Sequence, residues 1–200
     1  EQAIGKIEII FIRIKSKFIM RGYLALVLLV VISSCGSSKK NTAVVSNPIQ
    51  LYETLPDAEE KKTLKGILTE EQITKDTAFG WYAANLQYFK ADSAVVQNIR
   101  AKSPKMHVVI FGGTWCHDTQ QILPKYLTIL NAANFPTNQL TLVGVDRAKT
   151  TIGGLHTAFN ITNVPTLIVL QEGKEVGRIV EFGTSGLPAK ELGELIEKVK

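Results

Sequence analysis

The chain has 200 residues, enough for one domain with additional segments, and its 45% hydrophobic and 20% charged content is that of a globular protein. The formal net charge of +5 is unevenly placed: residues 1–35 carry five basic and two acidic side chains, and the remainder carries eighteen basic and sixteen acidic. A body that close to neutrality excludes nucleic acid as an expected partner, because it offers no basic face to a phosphate backbone.

In chain order, residues 1–19 begin with Glu and precede a complete signal, so they read as an upstream or non-native extension. A genuine, extended n-region is the alternative. Residues 20–34 read as a signal peptide: Met20 and Arg21 open it, and Tyr23 to Ile32 form an apolar run of ten residues. Ten residues are too few to cross a hydrocarbon layer of ~30 Å as a helix. The following "ISSC" sets small residues before Cys35 and resembles a bacterial lipobox. That resemblance implies cleavage before Cys35, lipid on Cys35, and anchoring to a membrane through the attached acyl chains. A plain secretory signal, or an uncleaved anchor, with an incidental cysteine is the competing reading. Residues 35–50 are small and polar, a tether with little to bury. No acidic cluster of the kind that resembles a surface-export signal follows Cys35. The expected location is therefore the bacterial cell envelope, lipid-anchored and facing the periplasm.

Residues 51–105 read mostly as helix, with a short strand at "KGILT", and lead into the main fold. Phe79, Tyr82, Leu86 and Phe89 recur at three- and four-residue steps and form a core-facing stripe. A second helix is expected over 92–102, stopped near Ser103-Pro104. Residues 106–200 then alternate. "MHVVIF" is a buried strand, Ile122, Leu123, Tyr126, Leu127 and Leu130 follow at helical spacing, and "LTLVGVD" is the next strand. "PTLIVLQ" and "KEVGRIVEF" are two further strands joined at "EGK", and Leu192, Leu195, Ile196 and Val199 make a closing amphipathic helix. The order β-α-β-α-β-β-α predicts an α/β fold with a mixed sheet flanked by helices.

The first strand-to-helix junction of that unit reads "TWC", and with this element order it resembles the thioredoxin fold. Pro124 lies eight residues after Cys116, where thioredoxins carry a helix-kinking proline. "NVPT", residues 163–166, resembles the cis-proline loop, which implies a cis bond between Val164 and Pro165. Gly183 follows the last strand, as a glycine does in that family. The resemblance implies substrate contact at Trp115, Val164, Pro165 and Thr166. Two departures bear on chemistry. Thr119 stands where the second, resolving cysteine is found, and Ile110 stands where the family buries an aspartate that serves it. Disulfide formation within the domain needs two nearby sulfurs, so a dithiol cycle is excluded.

Cys116 is thus the candidate nucleophile, and Thr119, His117 and Asp118 complete the candidate catalytic set. Free N–H groups at a helix start favour a thiolate. A hydrogen bond from the Thr119 hydroxyl, one turn on, would add to that, as would His117 if protonated. Asp118 opposes it by charge, and suits the first helical turn as a helix-start residue or, alternatively, acts as a local proton acceptor. The serine at the equivalent place in monothiol glutaredoxins is similar to Thr119. One thiol supports monothiol thiol–disulfide exchange, with disulfide-containing proteins or small-molecule thiols as partners. The alternative is a non-catalytic peptide-binding module using β-addition beside the proline. Adjacent side chains in "CHD" diverge at a helix start, and His107 and His156 lie elsewhere, so neither a metal site nor a cofactor is expected. A peroxidatic cysteine is excluded as well, since position 113 is Gly and the usual threonine is missing.

Overall fold

The computed structural model describes residues 51–200. The extension over 1–19, the signal segment over 20–34, and the tether over 35–50 with Cys35 lie outside the described residues. Among the described residues no helix is long and apolar enough to cross a membrane.

Six strands form one mixed sheet: β1 Tyr52–Asp57, β2 Lys61–Leu68, β3 Met106–Gly112, β4 Leu140–Gly144, β5 Thr166–Gln171 and β6 Lys174–Val180. Their spatial order is β1-β2-β4-β3-β5-β6, and only the β3–β4 pair is parallel. The helices are α1 Glu70–Thr74, α2 Trp81–Ala84, α3 Ser93–Lys102, α4 His117–Ala132, α5 Leu155–Ala158 and α6 Pro188–Glu197. From residue 106 onward the predicted α/β order is the observed one. The α3 helix begins where the sequence places it, with Asp92 accepting from the Ala94 and Val95 N–H groups as N-cap.

The alternation of side chains along β3 divides the core. Val108 and Ile110 face a large cluster with Ile99, Ile122, Leu123, Tyr126, Leu127, Leu192 and Ile196, beneath helices α3, α4 and α6. Val109 and Phe111 face a smaller cluster with Val143, Val145, Val164 and Ile168, against which Trp115, Cys116, Leu155 and Phe159 pack. The central strands are therefore buried on both faces, as a parallel pair in a mixed sheet requires.

Mostly helix was expected over 51–105. This holds for 70–105, and the short strand expected at "KGILT" is the second half of β2; it fails for 51–64, which form β1, the turn and the start of β2 in the hairpin. The turn is built by a side chain: Asp57 Oδ1 accepts from the Glu59 and Glu60 N–H groups at 3.0 and 3.1 Å. Phe79 and Tyr82 are buried, as their spacing implied, but a short 3-10 turn and α2 carry them instead of one continuous helix.

The register of the hairpin sets up the site. Gly66 pairs with Gly144 at the C-terminal end of β4, so the chain from Lys61 to Lys65 continues past that end. At strand rise, the tip projects on the order of 15 Å beyond it. Glycine is required at 144, because a Cβ there would stand 2.3 Å from the Leu64 carbonyl oxygen.

Candidate functional site

The overhanging hairpin, the turn after β3 and the loop before β5 meet at one end of the sheet. Leu64 N–H donates to Thr114 Oγ1 at 3.1 Å, and Gln120 Nε2 donates to the Thr114 carbonyl at 3.0 Å. Thr114 is 2% exposed, so the turn that carries Cys116 is fixed from both the hairpin and the helix. Cys116 has extended backbone angles and is the N-cap of α4. Its N–H donates to Gly113 O at 2.9 Å, and its carbonyl accepts from Gln120 N–H at 2.9 Å. The thiol is half-buried, and it is the free cysteine of the described residues.

The Cys116 Sγ donates to the Val164 carbonyl at 3.3 Å. The Val164–Pro165 bond is cis, as the "NVPT" motif implied. Val164, Pro165 and Thr166 are all buried. Thr166 Oγ1 donates to Asn163 O at 2.7 Å, and Glu181 N–H donates to Pro165 O at 2.7 Å, so the loop is tied at both ends. Trp115 is half-buried beside the thiol, and its Nε1–H donates to Val145 O at 3.0 Å.

The expected hydrogen bond from Thr119 to the sulfur is replaced by another. Thr119 is 1% exposed, and its Oγ1 accepts from the Gly113 N–H at 3.3 Å. The reason is geometric: the turn before α4 directs that N–H at the first helical turn, and a buried donor left unpaired would be costly. His117 is exposed and its Nε2 pairs with Gln121 Nε2 at 2.7 Å, one turn along α4. Asp118 lies in the first turn of α4, where its charge suits the helix dipole. Ile110 is fully buried in the large cluster. The three histidines are held by separate neighbours: His107 by Thr141 and His156 by the Thr151 N–H, with His117 as described. Burial lowers the His107 pKa below its ordinary value.

Sequence reading missed the charged side chains around Trp115. Arg147 lies with its guanidinium 5.3 Å from the indole centroid. Its Nε donates to Asp57 Oδ2 at 2.8 Å and its Nη2 to Asp57 Oδ1 at 2.9 Å and Glu59 Oε2 at 2.8 Å. The Arg147 hydrogen bond holds the Asp57 carboxyl well below the usual carboxylate range, and Asp57 raises Arg147 in return. One residue earlier, Asp146 accepts from Lys65 Nζ at 2.8 Å and from the Thr150 hydroxyl at 2.6 Å. Burial would raise the Asp146 carboxyl, but the hydrogen bonds from Lys65 and Thr150 hold it at about 2. The available signal was position: "DR", residues 146–147, begins two residues after the end of β4, and the carboxyl ends of adjacent parallel strands border the ligand crevice of α/β sheets.

The protein-family model described as Thioredoxin matches residues 88–197, more than half of the chain. Among solved structures, thioredoxin from Fasciola hepatica is 22% identical, covering 51% of this chain and 88% of its own, with a TM-score of 0.37. Oxidised thioredoxin O2 from Arabidopsis thaliana is 23% identical, covering 54% and 85%, with a TM-score of 0.35. A protein of unknown function from Pseudomonas aeruginosa is 22% identical, covering 66% and 80%, with a TM-score of 0.40. No curated protein sequence matches the chain. The match of the family model, together with the sheet order and the Cys116–Val164 apposition, places the chain in the thioredoxin family.

Proposed function

We propose that this chain carries out monothiol thiol–disulfide exchange through Cys116 while anchored to a bacterial envelope membrane by lipid on Cys35. The observation that carries the reading is one half-buried thiol at the N-cap of a sixteen-residue helix, beside the cis-proline loop. Thr119 and Ile110 supply neither a resolving thiol nor a carboxylate to serve one. The Cys116 thiolate attacks one sulfur of a substrate disulfide, forming a mixed disulfide and releasing the other sulfur as thiolate. A second thiol, from the substrate or from a small molecule, then attacks the substrate sulfur of the mixed disulfide and releases Cys116 as thiolate. The protein ends unchanged, and the net result is disulfide shuffling or reduction at the expense of the external thiol. Partners are disulfide-containing proteins and small-molecule thiols, met on the periplasmic side.

The test is incubation of the chain with oxidised glutathione, followed by mass spectrometry of the tryptic peptide holding Cys116. One glutathione adduct that a dithiol reagent removes, absent in Cys116→Ser, is expected. A thiol that stays unmodified would sink the exchange reading.

One contact favours a second reading, a peptide-binding module without exchange. The Val164 carbonyl can only accept, so its hydrogen bond engages the S–H form of Cys116 and must break before the sulfur attacks. Client peptides that bind equally well to Cys116→Ser, with no adduct on the parent, would favour that module.

A further inference from the structure

We propose that Arg147 is a positioning residue of the Cys116 site: held by the carboxylates of the hairpin tip, its guanidinium fixes the Trp115 indole beside the thiol. The inference rests on the exchange reading for its bearing on chemistry, and on geometry for the rest. The indole is held at three places. Its Nε1–H is bonded to Val145 O at 3.0 Å. It lies so close to Gly113 that a Cβ there would stand 2.6 Å from its ring atoms. The guanidinium covers the ring at 5.3 Å, a cation–π distance.

Arg147 is in turn immobilised from another part of the chain. It forms a bidentate pair with Asp57, whose side chain is 6% exposed, and a further bond with Glu59. Asp57 is pre-set for this, since it also accepts from the Glu59 and Glu60 N–H groups and from the Thr63 hydroxyl. A bidentate carboxylate fixes the plane of a guanidinium as well as its place. The relay runs from Asp57 through Arg147 to Trp115, and Trp115 packs with Cys116 on the cluster that includes Val164. An indole held in this way keeps the buried Val164 backbone and the sulfur in one fixed relation. An indole set free would uncover both.

The experiment uses the full chain in a Trp81→Phe background, so that fluorescence reports Trp115. Acrylamide quenching of the indole and the rate of Cys116 alkylation by iodoacetamide are measured, with melting temperature recorded in parallel. Arg147→Ala is expected to raise both quantities by about two- to fivefold, the equivalent of one partly exposed cation–π contact. Asp57→Asn keeps an acceptor for the hairpin turn and removes the charge that holds Arg147, so it should reproduce the effect. Two residues acting through one another are non-additive, and the double variant should not exceed Arg147→Ala alone. Unchanged quenching in Arg147→Ala, or effects of the two substitutions that add, overturns the assignment. A role limited to stapling the hairpin would lower the melting temperature with no change at the indole, which also overturns it. Exchange with oxidised glutathione is read separately: its absence in the parent defeats the exchange reading and leaves the fluorescence result standing.

Discussion

Thr119→Cys restores a pair of sulfurs three residues apart at the start of α4. The parent side chain is 1% exposed, its Oγ1 accepts from the Gly113 N–H, and its methyl group packs against Gly112. The substitution removes one buried methyl, worth about 1 kcal/mol. It also exchanges a hydroxyl acceptor for a weak sulfur acceptor, worth about another 1 kcal/mol. The reduced variant should therefore be less stable than the parent by about 2 kcal/mol. Oxidation closes a four-residue loop, and the chain-entropy relation gives about 2 kcal/mol for a loop of that size. Oxidised variant and parent should then melt close together, with the reduced variant about 4–8 °C below them, at 2–4 °C per kcal/mol for a domain of this size. The assay is thermal melting with and without reductant, with free thiols counted on a chain that also carries Cys35→Ser. Insulin reduction should rise from background in the parent to measurable turnover in the variant. The turnover stays modest because Ile110 offers no carboxylate for proton transfer. Two free thiols persisting in an oxidising glutathione buffer would refute the geometry. A parent that already turns over as fast as the variant would refute the single-thiol mechanism.

Ile110→Asp buries a carboxyl in an apolar cluster with no partner, and should cost several kcal/mol by denaturant unfolding; a stable variant would show that the cluster admits water. Asp146, held at about 2 by Lys65 and Thr150, contributes stability that is complete above its ordinary value of 3.8 and is lost as pH falls through about 2. Asp146→Asn should flatten the acid limb of stability between those values, and an unaltered limb would show that the carboxylate is not coupled to folding. Mass spectrometry of the mature protein should find Cys35 acylated at the N-terminus; an intact bond between residues 34 and 35, or an unmodified Cys35, would defeat the anchor.

The part of the fold from β3 onward was legible because its signals are local. The run "MHVVIF" is apolar apart from His107, as suits a strand buried on both faces, and Trp-Cys follows it at a turn. The cis bond was legible only through the resemblance of "NVPT" to the cis-proline loop, since most X-Pro bonds are trans. Of the hairpin only the end of β2, at "KGILT", was legible. The hairpin's alternation is interrupted by the half-buried charged residues Glu53, Lys62 and Lys65, and its turn is closed by the Asp57 carboxylate in place of a glycine. Thr119 was placed one helical turn after the thiol, but its partner depends on where the Gly113 N–H points. Arg147 lay beyond reach for a simpler reason: its contacts join residues 57, 115 and 147, and no periodicity carries information over such separations.

The overhanging hairpin also decides where this domain can be cut. The family match starts at residue 88, inside the folded unit rather than at its edge. A chain trimmed to that point would lose Leu64, Leu68, Ile73, Phe79 and Tyr82 from the large cluster. It would leave β4 with one side unpaired, an open template for association with other chains. Thr114 would lose the Leu64 N–H that secures the turn before Cys116. The boundary drawn by sequence similarity and the boundary drawn by physical cohesion thus differ, and an excised fragment that aggregates or has an erratic thiol would report the cut and not the protein.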